Sequence, residues 1–119
     1  MEKLSRKERE YRARIEAILK AAESVFAQKG FYNSTVAEIA KESEFAIGTI
    51  YQFFKNKEEL YYIMMIEKFD LLYSTLLTGV GKNIKCLEKI LCMVEIVFSF
   101  IEGNVDFFKI LIWELKLLN

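Results

Sequence analysis

The stretch from Thr35 to Leu60 constrains the fold more than any other part of this sequence. Three apolar residues in its first half share one face of a predicted short helix, since their spacing is helical: Val36, Ile39 and Ala40. Phe45 falls in a turn of a few residues, and Ile50 resumes helical spacing on a second helix. Two short helices joined by a tight turn are typical of a helix-turn-helix, whose second helix enters the major groove of DNA.

Apolar residues at helical spacing continue through the whole chain, which contains no proline. The sequence therefore predicts an all-α fold, and 119 residues give room for one compact domain or a small domain plus part of another. The net charge is zero and indicates no partner by itself. Residues 1–14 are locally basic, which predicts either an arm that follows DNA phosphates or a solvated N-terminus.

The sequence lacks the residues on which most enzymes and metal sites depend. It contains no histidine, the commonest general base and metal ligand, and no glycine-rich phosphate loop. Cys86 and Cys92 lie about 120° apart around a helix and so do not share a face. Because no secretory leader is recognised, we expect both to be reduced core thiols of a cytoplasmic protein. Charged residues interrupt each apolar run before the roughly 18 residues of a membrane span. We expect no enzyme, no metal, no cofactor and no membrane insertion.

The predicted first helix covers about Arg6–Lys29. Its apolar residues form one inward stripe: Ile15, Ile18, Leu19, Ala22, Val25 and Phe26. Gly30 follows a lysine in the last turn, which is typical of a helix end. Thr35 with Glu38 matches a capping box for the second helix, and Ser34 is an alternative N-cap.

Three longer helices are predicted after the helix-turn-helix, over about 57–77, 84–101 and 105–118. Asn56 with Glu59 is an N-cap signature for the first of them. Gly79 and Gly81 predict the loop before the second, and the pair 103–104 predicts the turn before the third.

Residues 15–60 contain three patterns in succession. They are an AA-x-x-x-F and GF pattern, the helix-turn-helix, and the continuation GT-x-Y-x-x-F-x-x-K-x-x-L, and the spacing between them is that of a single known signature. This combination resembles the signature of the TetR family of bacterial transcriptional repressors. The resemblance implies a helix-turn-helix DNA-binding domain of three helices over 1–56. It also implies a connecting helix and an incomplete helical effector-binding and dimerisation domain over 57–119. Such proteins act as homodimers on palindromic operators and release double-stranded DNA when a small molecule binds.

The resemblance also assigns DNA-contacting residues within a helix-turn-helix that spans Ser34 to Phe53. The assigned positions are Thr35, Ile47, Gly48, Thr49, Tyr51, Gln52, Lys55 and Lys57. Thr35, Tyr51 and Lys57 are expected to meet phosphates, which contributes affinity and salt dependence. Gln52 is expected to face base edges, where a glutamine pairs with adenine. The effector is not identified, and an apolar, aromatic composition favours a small hydrophobic molecule.

Three residues depart from the family pattern at the turn. Glu44 stands where the family has glycine, and a left-handed backbone there costs about 1 kcal/mol. Ala46 stands where a Ser or Thr caps the recognition helix, so that cap is missing. Ile47 replaces a basic or polar residue, and it either touches a thymine methyl or packs inward.

The last predicted helix, within FFKILIWELKLL, is apolar on nearly every side and therefore has to be buried on every side. The preceding residues do not easily provide that cover. We expect a fragment, a naturally shortened product, or a chain that buries this helix against a second copy. Two functions follow: an effector-released, DNA-binding repressor is favoured, and the alternative is a shortened interaction module that heterodimerises with or modulates a full-length relative.

Overall fold

Six helices form in the part of the chain described by the structure, a computed structural model covering residues 3–79 and 86–118. They are α1 Arg6–Lys29, α2 Val36–Ser43, α3 Ile47–Phe53, α4 Lys57–Gly79, α5 Cys86–Gly103 and α6 Val105–Leu118. No strand occurs among these residues, so the predicted all-α fold is confirmed. None of the helices described is long and apolar enough to cross a membrane.

Local caps set most of the helix bounds. The Asn56 side chain accepts a hydrogen bond from the Glu59 backbone N–H at 2.8 Å, as predicted for the start of α4. At the start of α1, the Ser5 hydroxyl accepts from the Glu8 N–H at 3.2 Å, and the Glu8 carboxylate accepts from the Ser5 N–H at 3.1 Å. This reciprocal capping box was not predicted from the sequence.

The predicted bounds of the later helices hold with small differences. α4 continues through Gly79, two residues beyond its predicted end, so the prediction that Gly79 lies in the following loop is wrong. α5 ends at Gly103, and α6 covers the residues predicted for it. The expected loop glycine Gly81, the expected helix start at Ile84 and the side chain of Cys86 lie outside the described residues.

The apolar stripe of α1 is the centre of a core to which the next three helices contribute. The fully buried side chains on this stripe and facing it are Ile18, Ala22, Phe26, Ile39, Ile50 and Leu60. Removing a side chain of this size from water contributes roughly 1.5–3 kcal/mol, so these contacts fix α2, α3 and the start of α4 on α1.

The α1–α2 loop (residues 30–35) is closed by short-range hydrogen bonds. Gly30 has a φ of 77°, and its N–H donates to the Phe26 carbonyl at 2.8 Å. The buried Ser34 hydroxyl donates to the Gly30 carbonyl at 2.6 Å. Thr35, and not Ser34, is therefore the N-cap of α2, and its hydroxyl accepts from the Glu38 N–H at 3.1 Å.

Helix α6 packs back onto α1 and covers only part of the remaining apolar surface. Phe107 and Ile110 are buried, but Ile112 and Leu115 are 52% and 61% exposed. The molecule measures 53 × 47 × 19 Å, and its smallest dimension is less than two helix diameters of about 10–12 Å. The complete burial expected for the last helix is therefore not reached within one chain, and an apolar surface extends over α4–α6. The most exposed of its side chains are Tyr62, Tyr73, Leu77, Leu87, Phe98 and Leu115.

The turn between α2 and α3 uses a left-handed residue that is not glycine. Glu44 has φ 62° and ψ 23°, and its N–H donates to the Lys41 carbonyl at 3.3 Å. The next N–H, of Phe45, donates to the Ala40 carbonyl at 3.1 Å. This pair of bonds closes the helix end in the usual way, although a residue with a Cβ occupies the position that favours glycine.

Glu44→Gly should raise the free energy of unfolding by about 1 kcal/mol, because it removes the steric cost of the left-handed conformation. Glu42→Gly is the matched control, since it places glycine within α2 and should lower the same quantity by about 1 kcal/mol. Urea titration followed by circular dichroism measures both. Equal losses of stability in the two variants would show that the Glu44 backbone carries no strain.

Candidate nucleic-acid interface

Helix α3 turns one face inward and presents the other to solvent. Ile50 is 1% exposed, whereas Ile47 and Tyr51 are 46% and 50% exposed, and Gln52 is also exposed. Ile47 and Tyr51 are neighbours on the surface because they are four residues apart, and Gln52 lies beside them, four residues after Gly48. The exposed face of α3 thus combines an aliphatic, an aromatic and an amide side chain without a formal charge.

The first turn of α3 is open and uncapped. Ala46 precedes the helix and makes no side-chain hydrogen bond to it, as the sequence predicted. A Cβ built on Gly48 would meet no heavy atom within 4 Å, so the absence of a side chain here is not required by packing inside the protein. Thr49 is half-buried beside the exposed face. A second molecule is therefore able to approach the backbone closely at Gly48.

At the start of α2, the Thr35 hydroxyl is already paired with Glu38. It accepts from the Glu38 N–H at 3.1 Å and donates to the Glu38 carboxylate at 3.2 Å. A hydroxyl has one proton, so Thr35 has none left for a phosphate in this arrangement. The assignment of Thr35 as a phosphate contact stays a prediction, and it requires Glu38 to move.

The Glu38 carboxylate also pairs with Lys29, whose ammonium lies at 2.6 Å. The hydrogen bond from Lys29 is the main reason why the pKa of Glu38 lies below its usual value. Because the pKa is lowered, this pair persists at neutral pH and is lost only as the solution becomes acidic. One carboxylate and one ammonium group are therefore already paired at the N-terminal end of α2.

Lys57 links the start of α4 to the α1–α2 loop. Its ammonium donates to the carbonyls of Phe31 at 2.8 Å and Ser34 at 3.1 Å, and it lies 4.2 Å from the centroid of the Phe31 ring. An ammonium has three donors, so one remains for an external acceptor such as a phosphate. The structure thus places Lys57 next to Thr35 and gives Lys57 an internal role that its sequence position did not indicate.

Lys55 is exposed, and its backbone N–H donates to the Glu59 carboxylate at 2.8 Å. Its ammonium therefore reaches solvent between α3 and α4. Together, the assigned residues form one exposed group on α3 and a second group at the α1–α2 loop and the start of α4.

The basic first part of α1 lies beside the end of α3. This position was not predicted from the sequence. Tyr11 contacts Phe53 with ring centroids 5.1 Å apart. Lys7 and Arg14 lie four residues before and three residues after Tyr11, so they share its side of α1. Tyr11 lies one helical turn before Ile15, in line with the apolar stripe of α1. This spacing was the signal from which a contact of Tyr11 with another helix could have been predicted.

Lys57→Met should lower the free energy of unfolding by about 1–2 kcal/mol, because two partly buried carbonyls lose a charged donor while the aliphatic stem is kept. Lys55→Met is the matched control, since the exposed Lys55 side chain should contribute little. Thermal and urea unfolding of both variants measures the difference. Equal stability of the two variants would mean that the bonds to Phe31 and Ser34 do not hold the loop.

Comparison with known proteins agrees with this arrangement of helices. Residues 18–62 match the family model described as bacterial regulatory proteins, tetR family. The fatty acid metabolism regulator protein of Bacillus subtilis (strain 168) is 32% identical over 87 residues, which are 73% of this chain and 45% of that protein. The uncharacterised HTH-type transcriptional regulator YdgC of the same organism is 32% identical over 97 residues, which are 78% of this chain and 50% of that protein. The chain spans about half the length of these curated relatives.

Solved structures show the same fold. The fatty acid degradation regulator FadR from Bacillus halodurans has a TM-score of 0.75 at 25% identity, covering 92% of this chain and 54% of that chain. FadR from Bacillus subtilis, crystallised in complex with stearoyl-CoA, has a TM-score of 0.69 at 31% identity, covering 76% and 49%. With the helix-turn-helix in place and the family signature in register, the chain belongs to the TetR family of bacterial regulatory proteins.

Proposed function

We propose that this chain is a sequence-specific DNA-binding transcriptional regulator, acting as a repressor in the cytoplasm. The observation that carries the proposal is the exposed face of α3, held outward by the burial of Ile50 in the core to which α1 and α2 contribute. Membership of a family of transcriptional regulators, which is not an enzyme class, supports it. Residues 1–56 act as the DNA-binding domain, and residues 57–119 contribute to effector binding and dimerisation.

The proposed contacts to DNA fall into two kinds. Tyr51, Lys55 and Lys57 bind phosphates, as does Thr35 once Glu38 has moved, and these contacts set affinity without reading sequence. Thr49 contacts the duplex beside Gly48. Ile47 and Gln52 enter the major groove, where Ile contacts a thymine methyl and Gln pairs with adenine. Gly48 lets the α3 backbone approach the duplex, since the space beside it is open.

The active form is proposed to be a homodimer on a palindromic operator. Two copies have to place their α3 helices in successive major grooves, about 34 Å apart along the duplex. The exposed apolar side chains of α4–α6 support pairing with a second copy, because a monomer would leave them in water.

Release from DNA is proposed to follow binding of a hydrophobic effector. A groove of about 500 Å³ lies between α4 and α5, lined by Leu71, Thr75, Ile96, Ser99 and Phe100 among others. A relative at 31% identity was crystallised with stearoyl-CoA, and another relative is named a fatty acid metabolism regulator. We therefore propose a long-chain acyl-CoA, whose acyl chain occupies this groove.

Footprinting on the DNA upstream of the gene should show protection of a palindrome that weakens steeply with salt. Tyr51→Ala should weaken binding to all sequences, whereas Gln52→Ala should lose roughly 1–3 kcal/mol of discrimination at one base pair in each half-site. Gln28→Ala is the control, since it removes an exposed glutamine that lies on α1. Affinity for the operator and for operators changed at single positions measures each effect.

Absence of protection at any salt concentration would reject the DNA-binding proposal. A Gln52→Ala variant with the same base preference as Gln28→Ala would reject only the base contact of Gln52.

Stearoyl-CoA should weaken operator binding by about 5–150-fold, the usual range for an effector coupled to a second site. Coenzyme A without an acyl chain should have no effect. Ser99→Trp, which fills the groove, should abolish the response, and Ser74→Trp on α4 is its matched control. Fluorescence anisotropy of labelled operator measures both. An unchanged response in Ser99→Trp would place the acyl chain elsewhere.

A further inference from the structure

Helix α6 is joined to the reading head (α1–α3) by the single tryptophan of the chain. The indole N–H of Trp113 donates to the Ala27 carbonyl in the last turn of α1 at 3.1 Å. The same ring covers Gly30, where an added Cβ would lie 3.4 Å from the nearest indole carbon. Trp113 therefore contacts α1 and the first residue of the α1–α2 loop together.

The residue after Trp113 makes a second polar contact. The Tyr61 hydroxyl of α4 donates to the Glu114 carboxylate of α6, and both side chains are half-buried. Burial and the neighbouring Glu114 raise the pKa of Tyr61, so its hydroxyl keeps its proton and remains a donor at physiological pH. The Tyr61 ring also meets Phe26 and Phe31 edge-on, with centroids 5.3 and 5.0 Å away.

These contacts continue to the DNA-facing end of the head. Phe31, which meets Tyr61, also lies under the Lys57 ammonium at 4.2 Å. That ammonium holds the carbonyl of Ser34, the residue directly before the N-cap Thr35. A continuous series of contacts thus runs from Glu114 on α6 to Lys57, which is assigned to a phosphate contact, and to the residue before Thr35, which adjoins another assigned residue.

We propose that Glu114 and Trp113 are positioning residues for DNA binding: from α6 they fix the α1–α2 loop and the start of α4, and thereby the orientation of Lys57 and the N-terminus of α2. This inference rests on the proposed function. The two polar contacts depend on direction, and a hydrogen bond weakens steeply once its atoms separate beyond about 3.5 Å. A small displacement of α6 therefore releases the loop, whereas purely apolar contacts would tolerate it.

Glu114→Ala and Tyr61→Phe test the contact, with Glu102→Ala as the matched control at an exposed glutamate of α5. Glu114→Ala should weaken binding to the footprinted DNA by about 3–10-fold, within the range of single coupling contacts. It should also reduce the slope of log affinity against log salt concentration by the amount that about one phosphate contact contributes, since Lys57 is no longer held in place. Glu114→Gln should restore both, because its amide oxygen accepts from Tyr61. The double variant should lose no more than either single variant.

Trp113 supplies a second readout that needs no DNA. Its fluorescence should shift to longer wavelength in Glu114→Ala and not in Glu102→Ala, as the indole becomes more exposed. Amide hydrogen exchange over residues 31–38 should become faster in the same variant, because the loop is released.

Three results would overturn the inference. Glu114→Ala with reduced thermal stability but wild-type affinity and salt slope would show that the contact only stabilises the fold. Equal effects of Glu102→Ala would show that the position on α6 is irrelevant. Unchanged hydrogen exchange over residues 31–38 in Glu114→Ala would show that α6 does not hold the loop. If the wild-type chain binds no DNA, the proposed function fails, and the exchange measurement still decides whether α6 holds the loop.

Discussion

The arrangement of the reading head depends on the burial of one aromatic ring, that of Phe26. Its side chain is completely buried, with its ring 5.9 Å from that of Phe31 and 5.3 Å from that of Tyr61. One residue of α1 thus holds both the loop that precedes α2 and the helix that follows α3. Because the helix-turn-helix lies between those two points, its position on α1 is determined at both ends.

Much of this fold could be predicted from the sequence because its signals are local. The α1 stripe, the glycine after Lys29 and the Asn56 cap each depend on residues within a few positions of one another. Helical spacing alone also predicted the two faces of α3, with Ile50 buried and Tyr51 exposed. The cap by Ser5 was equally local, but the basic residues around it suggested an arm along DNA phosphates or a solvated N-terminus instead.

What could not be predicted joins residues that are far apart in the chain. Trp113 bonds to a carbonyl 86 residues away, and Lys57 bonds to one 26 residues away. Backbone carbonyls have no signature in a sequence, so no pattern shows which one a distant side chain will reach. The predicted capping box of Thr35 and Glu38 forms only in part, because the Glu38 carboxylate accepts from the Thr35 hydroxyl and pairs with Lys29, which lies nine residues away. The hydrogen bonds of the assigned residues therefore could not be predicted, and their contacts with DNA stay a prediction.

Helix α3 has only seven residues, and Ala46, which precedes it, provides no side-chain cap. A helix this short is unstable alone, because nucleation fixes several residues for few hydrogen bonds. Its order depends on the buried core that Ile50 enters, and a helix held by so few residues opens by local unfolding more easily than a long one. In the proposed complex with DNA, any ordering of α3 that binding has to complete consumes part of the binding energy, equally on every DNA sequence. The proposed regulator would then distinguish correct from incorrect sites with a moderate affinity, which lets it leave a wrong site quickly.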